Sequence, residues 1–127
     1  MKTSLWLSIA LLAVLLLGGV LMEKTTLEVS RQYVSAAEEL KSLVTQQQWH
    51  RAEETAQAYG ERWESTKSWM QMLIDHEDTD AVSIALDRIL ECLRNRDTAS
   101  CLIFCADLKE SAQHVHHRSA FTLANVL

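Results

Sequence analysis

From Leu5 to Met22 the chain is apolar without interruption: it carries no charge, and Ser8 is the only polar side chain. In a helix rising about 1.5 Å per residue, these 18 residues reach about 27 Å, close to the roughly 30 Å hydrocarbon core of a bilayer. The run ends Gly18-Gly19-Val20-Leu21-Met22-Glu23, with no A-x-A cleavage site before the charges and no cysteine to accept a lipid. It therefore reads as an uncleaved anchor rather than a removable signal peptide. Beyond it the pattern changes to helical spacing. Leu27, Val34, Ala37, Leu40 and Val44 mark a first stretch over 23–45. Nothing between Met22 and Leu27 stops a helix, so the anchor is able to run straight into it.

Gln46-Gln47-Gln48 is a polar break without glycine or proline, and Thr45 is a candidate cap for the next helix. Trp49, Ala52, Ala56, Tyr59, Trp63, Thr66, Met70 and Leu73 then recur in alternating steps of three and four, an a/d seam. Trp69 lies off that seam. The stretch Asp75-His76-Glu77-Asp78-Thr79-Asp80 interrupts it, with Asp78, Thr79 or Asp80 capping a third helix marked by Val82, Ala85, Leu86, Ile89, Leu90 and Leu93. Arg94-Asn95-Arg96 closes that helix. Asp97 or Thr98 opens a fourth, with Ala99, Leu102, Cys105, Leu108, Ala112 and Val115 on one face, fading towards Phe121, Leu123 and Leu127. Each stretch has one apolar face to bury, and the connections are short. The expected fold is all-α: a transmembrane helix followed by an antiparallel bundle of about four helices, built as two helical hairpins.

Composition narrows this picture. There is no proline, and glycine occurs three times, which leaves few helix breakers. Lys2 is the only side-chain charge in residues 1–22, so residues 23–127 carry −6, from 11 basic and 17 acidic residues. An acidic domain repels phosphate backbones, so nucleic acid is not expected as a partner. Lys2 and the amino terminus precede the span, while Glu23 and Lys24 cancel after it. The positive-inside rule then gives residues 1–4 as a cytoplasmic N-terminus, 5–22 as a single-pass signal anchor in the cell membrane, and 23–127 as an extracytoplasmic helical bundle.

Candidate chemistry is sparse. His114-x-His116-His117 is the sharpest metal candidate, since His114 and His117 stand three apart on one helix face. His76, Glu77, Cys101 and Cys105 are the residues that could complete such a site, but structural zinc wants four ligands and the local cluster supplies two on a face. The acidic stretch at 75–80 lacks the glycine and the distal glutamate of a calcium loop, so it reads as a capping turn. His76 and Glu77 form an acid/base pair by type, with no nucleophile or phosphate loop beside them. No enzyme and no cofactor are expected. Cys92, Cys101 and Cys105 match no zinc or redox motif and read as core, with a Cys92 disulfide to Cys101 or Cys105 as the alternative. Trp69, an aromatic off the stripe, is a candidate partner anchor together with His76 and Glu77.

Trp49 and Ala52, then Trp63, Trp69 and the run Leu73-Ile74-Asp75-His76-Glu77, followed by an acidic cap and a leucine-rich helix, resemble the bacterial family called domain of unknown function 4363. The resemblance covers most of the chain. It implies a short membrane-anchored accessory protein of the cell envelope, of the kind found in spore-forming Firmicutes and linked to sporulation. It supplies no catalytic residues, and neither the cysteines nor the histidine cluster belongs to it. The function expected is non-enzymatic: lipid contact through residues 5–22, and docking of the bundle on another membrane protein or on itself. The alternative is a metal-binding or metal-sensing domain using the C-terminal histidines.

Overall fold

The computed structural model describes the backbone of residues 1–126 and the side chains of residues 1–117. It contains four helices: α1 (Lys2–Thr45), α2 (Trp49–Met70), α3 (His76–Arg94) and α4 (Thr98–Val126), with no strand among the described residues. The all-α bundle expected from the pattern is present. The apolar run and the first soluble stretch form one uninterrupted helix of 44 residues, about 66 Å long.

The two parts of α1 behave differently. Every large apolar side chain from Leu5 to Leu21 is exposed. From Thr26 onwards one face is buried: Val29, Tyr33, Ala36, Ala37, Leu40, Leu43 and Val44 enter the core. The helices form a closed ring in which α1 packs on α2 and α4, and α3 packs on the same two. Side-chain pairs fix the antiparallel registers. The Tyr33 ring meets the Trp63 ring edge-on at 5.0 Å, and the Tyr59 hydroxyl donates to Glu39 at 3.0 Å. Trp63 Nε1 donates to Ser83 Oγ at 2.8 Å, and Lys67 pairs with Asp80 at 3.2 Å. Lys109 Nζ lies 2.6 Å from Glu38 Oε1, joining α4 to α1.

One layer brings all four helices together. Tyr33, Trp63, Val82, Ala112 and Val115, with Val29 and Ser30, close on a space too small to admit a water molecule. Tyr33 is fully buried there, its hydroxyl donating to the Tyr59 carbonyl at 3.4 Å, and burial pushes its pKa up to about 12. Away from this layer, towards the other end, the core holds aliphatic side chains, Leu40, Leu43 and Val44 of α1 and Ile89 and Leu93 of α3, interleaved with the smaller Ala52 and Ala56 of α2, Cys92 of α3, and Cys101 and Cys105 of α4.

The connections are of two kinds. Those between α1 and α2 and between α3 and α4 are built alike. Gln47 donates its amide to Val44 O and Gln48 to Leu43 O; Arg96 donates to Leu93 O and Asp97 to Cys92 O. Each is a Schellman ending with a non-glycine residue in the left-handed region, Gln47 at φ 57° and Arg96 at φ 52°. The connection between α2 and α3 is instead a winding turn, in which the amide of Met72 donates to Trp69 O and those of Leu73 and Ile74 to Met70 O.

Several local expectations are corrected. The seam of α2 holds from Trp49 to Met70, but the helix stops there, and Leu73 is exposed in the turn. Thr45 does not cap α2: it is the last residue of α1 and donates its hydroxyl to Lys41 O at 2.8 Å, while Gln48 occupies the cap position without a side-chain bond. The N-cap of α3 is Asp75, whose carboxylate accepts the Glu77 amide at 3.1 Å. Asp78 and Thr79 are buried inside the first turn instead. Ala99 is exposed, and Cys101 takes the core position near the start of α4.

Candidate functional site

The three predicted partner residues flank one turn. Trp69 stands in the last turn of α2 and is exposed; His76 and Glu77 open α3 and are exposed as well. The turn between them is held from within. Asp75 extends the backbone at φ −62°, ψ 137° and caps α3, while Gln71 Nε2 donates to Thr79 Oγ1 at 3.3 Å across it. Ile74 packs against the core and fixes the turn to the bundle. Met72 and Leu73, in contrast, are exposed. With Trp69 they make an exposed apolar cluster bordered by Asp75, His76 and Glu77.

Sequence reasoning missed Met72 and misassigned Leu73 to the core. The missing signal was the true start of α3. Asp75 followed three residues later by Asp78 has capping-box spacing, which places Leu73 before a helix rather than on one.

The histidine cluster is divided by burial on α4. His114 and His117 are exposed, whereas His116 is half-buried and its Nδ1 is enclosed without a hydrogen-bond partner among the described residues. The rings of His116 and His117 are 6.5 Å apart and tilted. Among the described residues no group of three or more His, Cys, Asp or Glu side chains is arranged to hold a metal ion. Cys101 and Cys105 do not complete the cluster: His114 is nine positions beyond Cys105 along the same helix, a rise of about 13 Å.

The three cysteines are free thiols buried in the core, as their lack of a motif suggested. Burial pushes the Cys101 thiol up to about 12 and the Cys105 thiol up to about 11, and raises Cys92 as well. A thiol held protonated in this way is a poor nucleophile and a poor ligand at neutral pH.

Fold and site together define a small all-helical bundle on a long helix whose N-terminal half is apolar and bare, with an exposed apolar turn as its most distinctive surface. The chain belongs to the family described as domain of unknown function (DUF4363), whose model matches residues 20–126. The match includes the bundle and only the last residues of the apolar run. Comparison with curated proteins gives no match, and neither does comparison with solved structures.

Proposed function

We propose that this protein is a membrane-anchored, non-enzymatic accessory module of the bacterial cell envelope. Its helical bundle is held against the bilayer and docks on another membrane protein or on a second copy of itself. The observation that carries this reading is the division of α1. An apolar stretch with mean hydropathy 2.6 and no buried residue continues without a break into a helix that supplies one wall of the core. A bare apolar surface of that length in water is strongly unfavourable, and a bilayer covers it. The continuity makes the anchor a rigid stem rather than a flexible tether, so the bundle keeps a defined height and tilt above the membrane. The charge asymmetry around residues 1–24 favours an N-terminus in the cytoplasm and a bundle outside. The link to sporulation rests on the family resemblance alone.

Two measurements test the reading. Full-length protein bearing a C-terminal tag is expected to resist carbonate extraction and to lose its tag to protease added outside intact spheroplasts. Release into the soluble fraction would remove the anchor, and protection of the tag would reverse the orientation. Crosslinking in native membranes followed by mass spectrometry should then return one dominant membrane protein or the protein itself. Recovery of neither would overturn the docking role.

A further inference from the structure

We infer that the α2–α3 turn, through Trp69, Met72 and Leu73, seats in the headgroup region of the same bilayer that α1 crosses. This deepens the anchor reading and rests on it.

The register places the turn at the right height. Tyr33 of α1 is level with Trp63 of α2, their rings 5.0 Å apart. From that level α2 runs back towards the N-terminal end of α1. Trp69, six residues on, falls beside Leu27. Met72 and Leu73, in the turn that continues the winding, fall beside Lys24 and Glu23, one or two residues above the end of the apolar run at Met22. At about 1.5 Å per residue, Trp69 stands about 7 Å above that end. The interfacial layer on each side of the hydrocarbon core is about 5–7 Å thick, so the turn meets it and the indole lies at its outer edge.

The chemistry fits that position. Met72 is 80% exposed, Leu73 46% and Trp69 38%. Among the described residues beyond the first 22, Met72 is the most exposed large apolar side chain. An indole with an apolar body and one N–H donor is the side chain enriched at headgroup level. The other two links of the bundle, at the opposite end, are Gln46-Gln47-Gln48 and Asn95-Arg96-Asp97, polar throughout. The apolar turn is therefore the one that faces the membrane, and the polar turns are the ones that face away.

Charge selects the lipid. Asp75, Glu77 and Asp80 surround the turn, and among the described residues only Asp80 has a cation in contact, Lys67 at 3.2 Å. This rim repels an anionic surface, so the occupant is a zwitterionic headgroup layer rather than a patch rich in acidic lipid.

The test uses the full chain in phosphatidylcholine nanodiscs, carrying an environment-sensitive fluorophore at one of three introduced cysteines: Met72→Cys, Ile103→Cys or Leu15→Cys. The unsubstituted chain, with its three buried thiols, is the labelling blank. Spin-labelled phosphatidylcholine is the quencher. The expected result is a blue-shifted, strongly quenched probe at position 72, an unquenched one at the distal position 103, and a quenched one at position 15. Replacing a third of the lipid with phosphatidylglycerol should weaken quenching at position 72 and leave position 15 unchanged. A probe at position 72 that behaves like that at 103 while position 15 is quenched would overturn the seating, leave the anchor intact and return the turn to a protein partner. Equal quenching at 72 and 103 would also overturn it, because the bundle would then lie flat. No quenching at position 15 would sink the anchor reading and this inference with it.

Discussion

The two ends of the bundle are built from different materials. At the end near the apolar run, four helices meet around Tyr33 and Trp63, large rings in T-shaped contact, with Trp63 further tied to Ser83. At the far end the core is aliphatic, with Leu40, Leu43, Val44, Ile89 and Leu93 interleaved with Ala52, Ala56, Cys92, Cys101 and Cys105, and the chain reverses twice through tight polar links. Aromatic side chains bury large areas and lock orientation through ring geometry and hydrogen bonds, whereas aliphatic and small side chains pack closely without such directional ties. The near end is thus the rigid junction between the stem and the bundle, and the far end is a close-packed closure.

The most severe way to break this contrast is Trp63→Ala. Removing a fully buried indole leaves a cavity and takes away the Ser83 hydroxyl's indole donor, with an expected loss of about 3–5 kcal/mol. Against a typical domain stability of about 5–15 kcal/mol, that brings the bundle close to unfolding. Cys101→Ala at the far end deletes one sulfur atom and should cost about 1 kcal/mol. Urea titration of the detergent-solubilised full chain, followed by circular dichroism, reads both. Equal losses would show that the aromatic layer does not dominate.

Alkali attacks both ends. Folded Cys105 and Cys101 titrate at about 11 and about 12 against an ordinary value of 9.0, and Tyr33 at about 12 against 10.0, in each case chiefly because burial disfavours the anion. Between pH 9 and pH 12 the unfolded chain has already released protons that the folded chain retains, so stability falls with rising pH across that window and is fully present below it. Thermal melts at pH 8, 10 and 11 should show a declining midpoint. The double replacement of Cys101 and Cys105 by alanine should flatten the part of the decline that begins near pH 9. An unchanged slope in that variant would mean that the thiols are not held protonated by the fold.

The legible parts of the fold are those whose signals are periodic. The seam from Trp49 to Met70 and the apolar positions from Val82 to Leu93 gave α2 and α3 their buried faces, because one buried stripe forces a repeat of three and four. Helix ends are set by single residues, and periodicity does not reach them. Leu73 continues the a/d rhythm by spacing, yet the Asp75 cap ends the regime before it, so a residue assigned to the core became part of the exposed turn. Tyr33 is invisible to the pattern, because a tyrosine among Ser, Gln and Val does not announce which partner ring it will meet. The cysteines are readable as core for a negative reason: no spacing gives them anything else to do.

The polar links of the far end give a smaller effect of opposite sign. Gln47 and Arg96 hold left-handed conformations that cost an L-residue about 1 kcal/mol or more and cost glycine little. Glycine also raises the entropy of the unfolded chain, which offsets part of the gain. Gln47→Gly and Arg96→Gly are therefore each expected to stabilise the bundle by a few tenths to about 1 kcal/mol, read as a shift in urea midpoint with unchanged slope. The two sites share no partner, so the double variant should give nearly the sum. A loss at either site would show that the side chain contributes more than its backbone strain costs.

Acid gives the smallest effect and separates the two ends once more. Asp97 caps α4 at the far end, accepting the Ser100 amide at 3.2 Å and the Ser100 hydroxyl at 2.6 Å, and these bonds hold its carboxyl below the ordinary range. Glu38 is lowered by its bond to Lys109, which ties α1 to α4. A carboxyl lowered in the folded state adds stability that is present above its unfolded pKa and lost as pH falls through the folded one. Both groups are open to solvent, so screening keeps the contribution small. Melting between pH 6 and pH 3 should show a modest decline. Asp97→Asn retains a cap of the same shape without the charge and should remove part of that decline, and Glu38→Gln another part. Amide exchange at Ser100 and Cys101, in the first turn of α4, should quicken as Asp97 is protonated, before exchange in the Tyr33–Trp63 layer changes. Simultaneous loosening of both regions would mean that acid unfolds the bundle as one unit, and the division between an aromatic junction and an acid-sensitive closure would not survive.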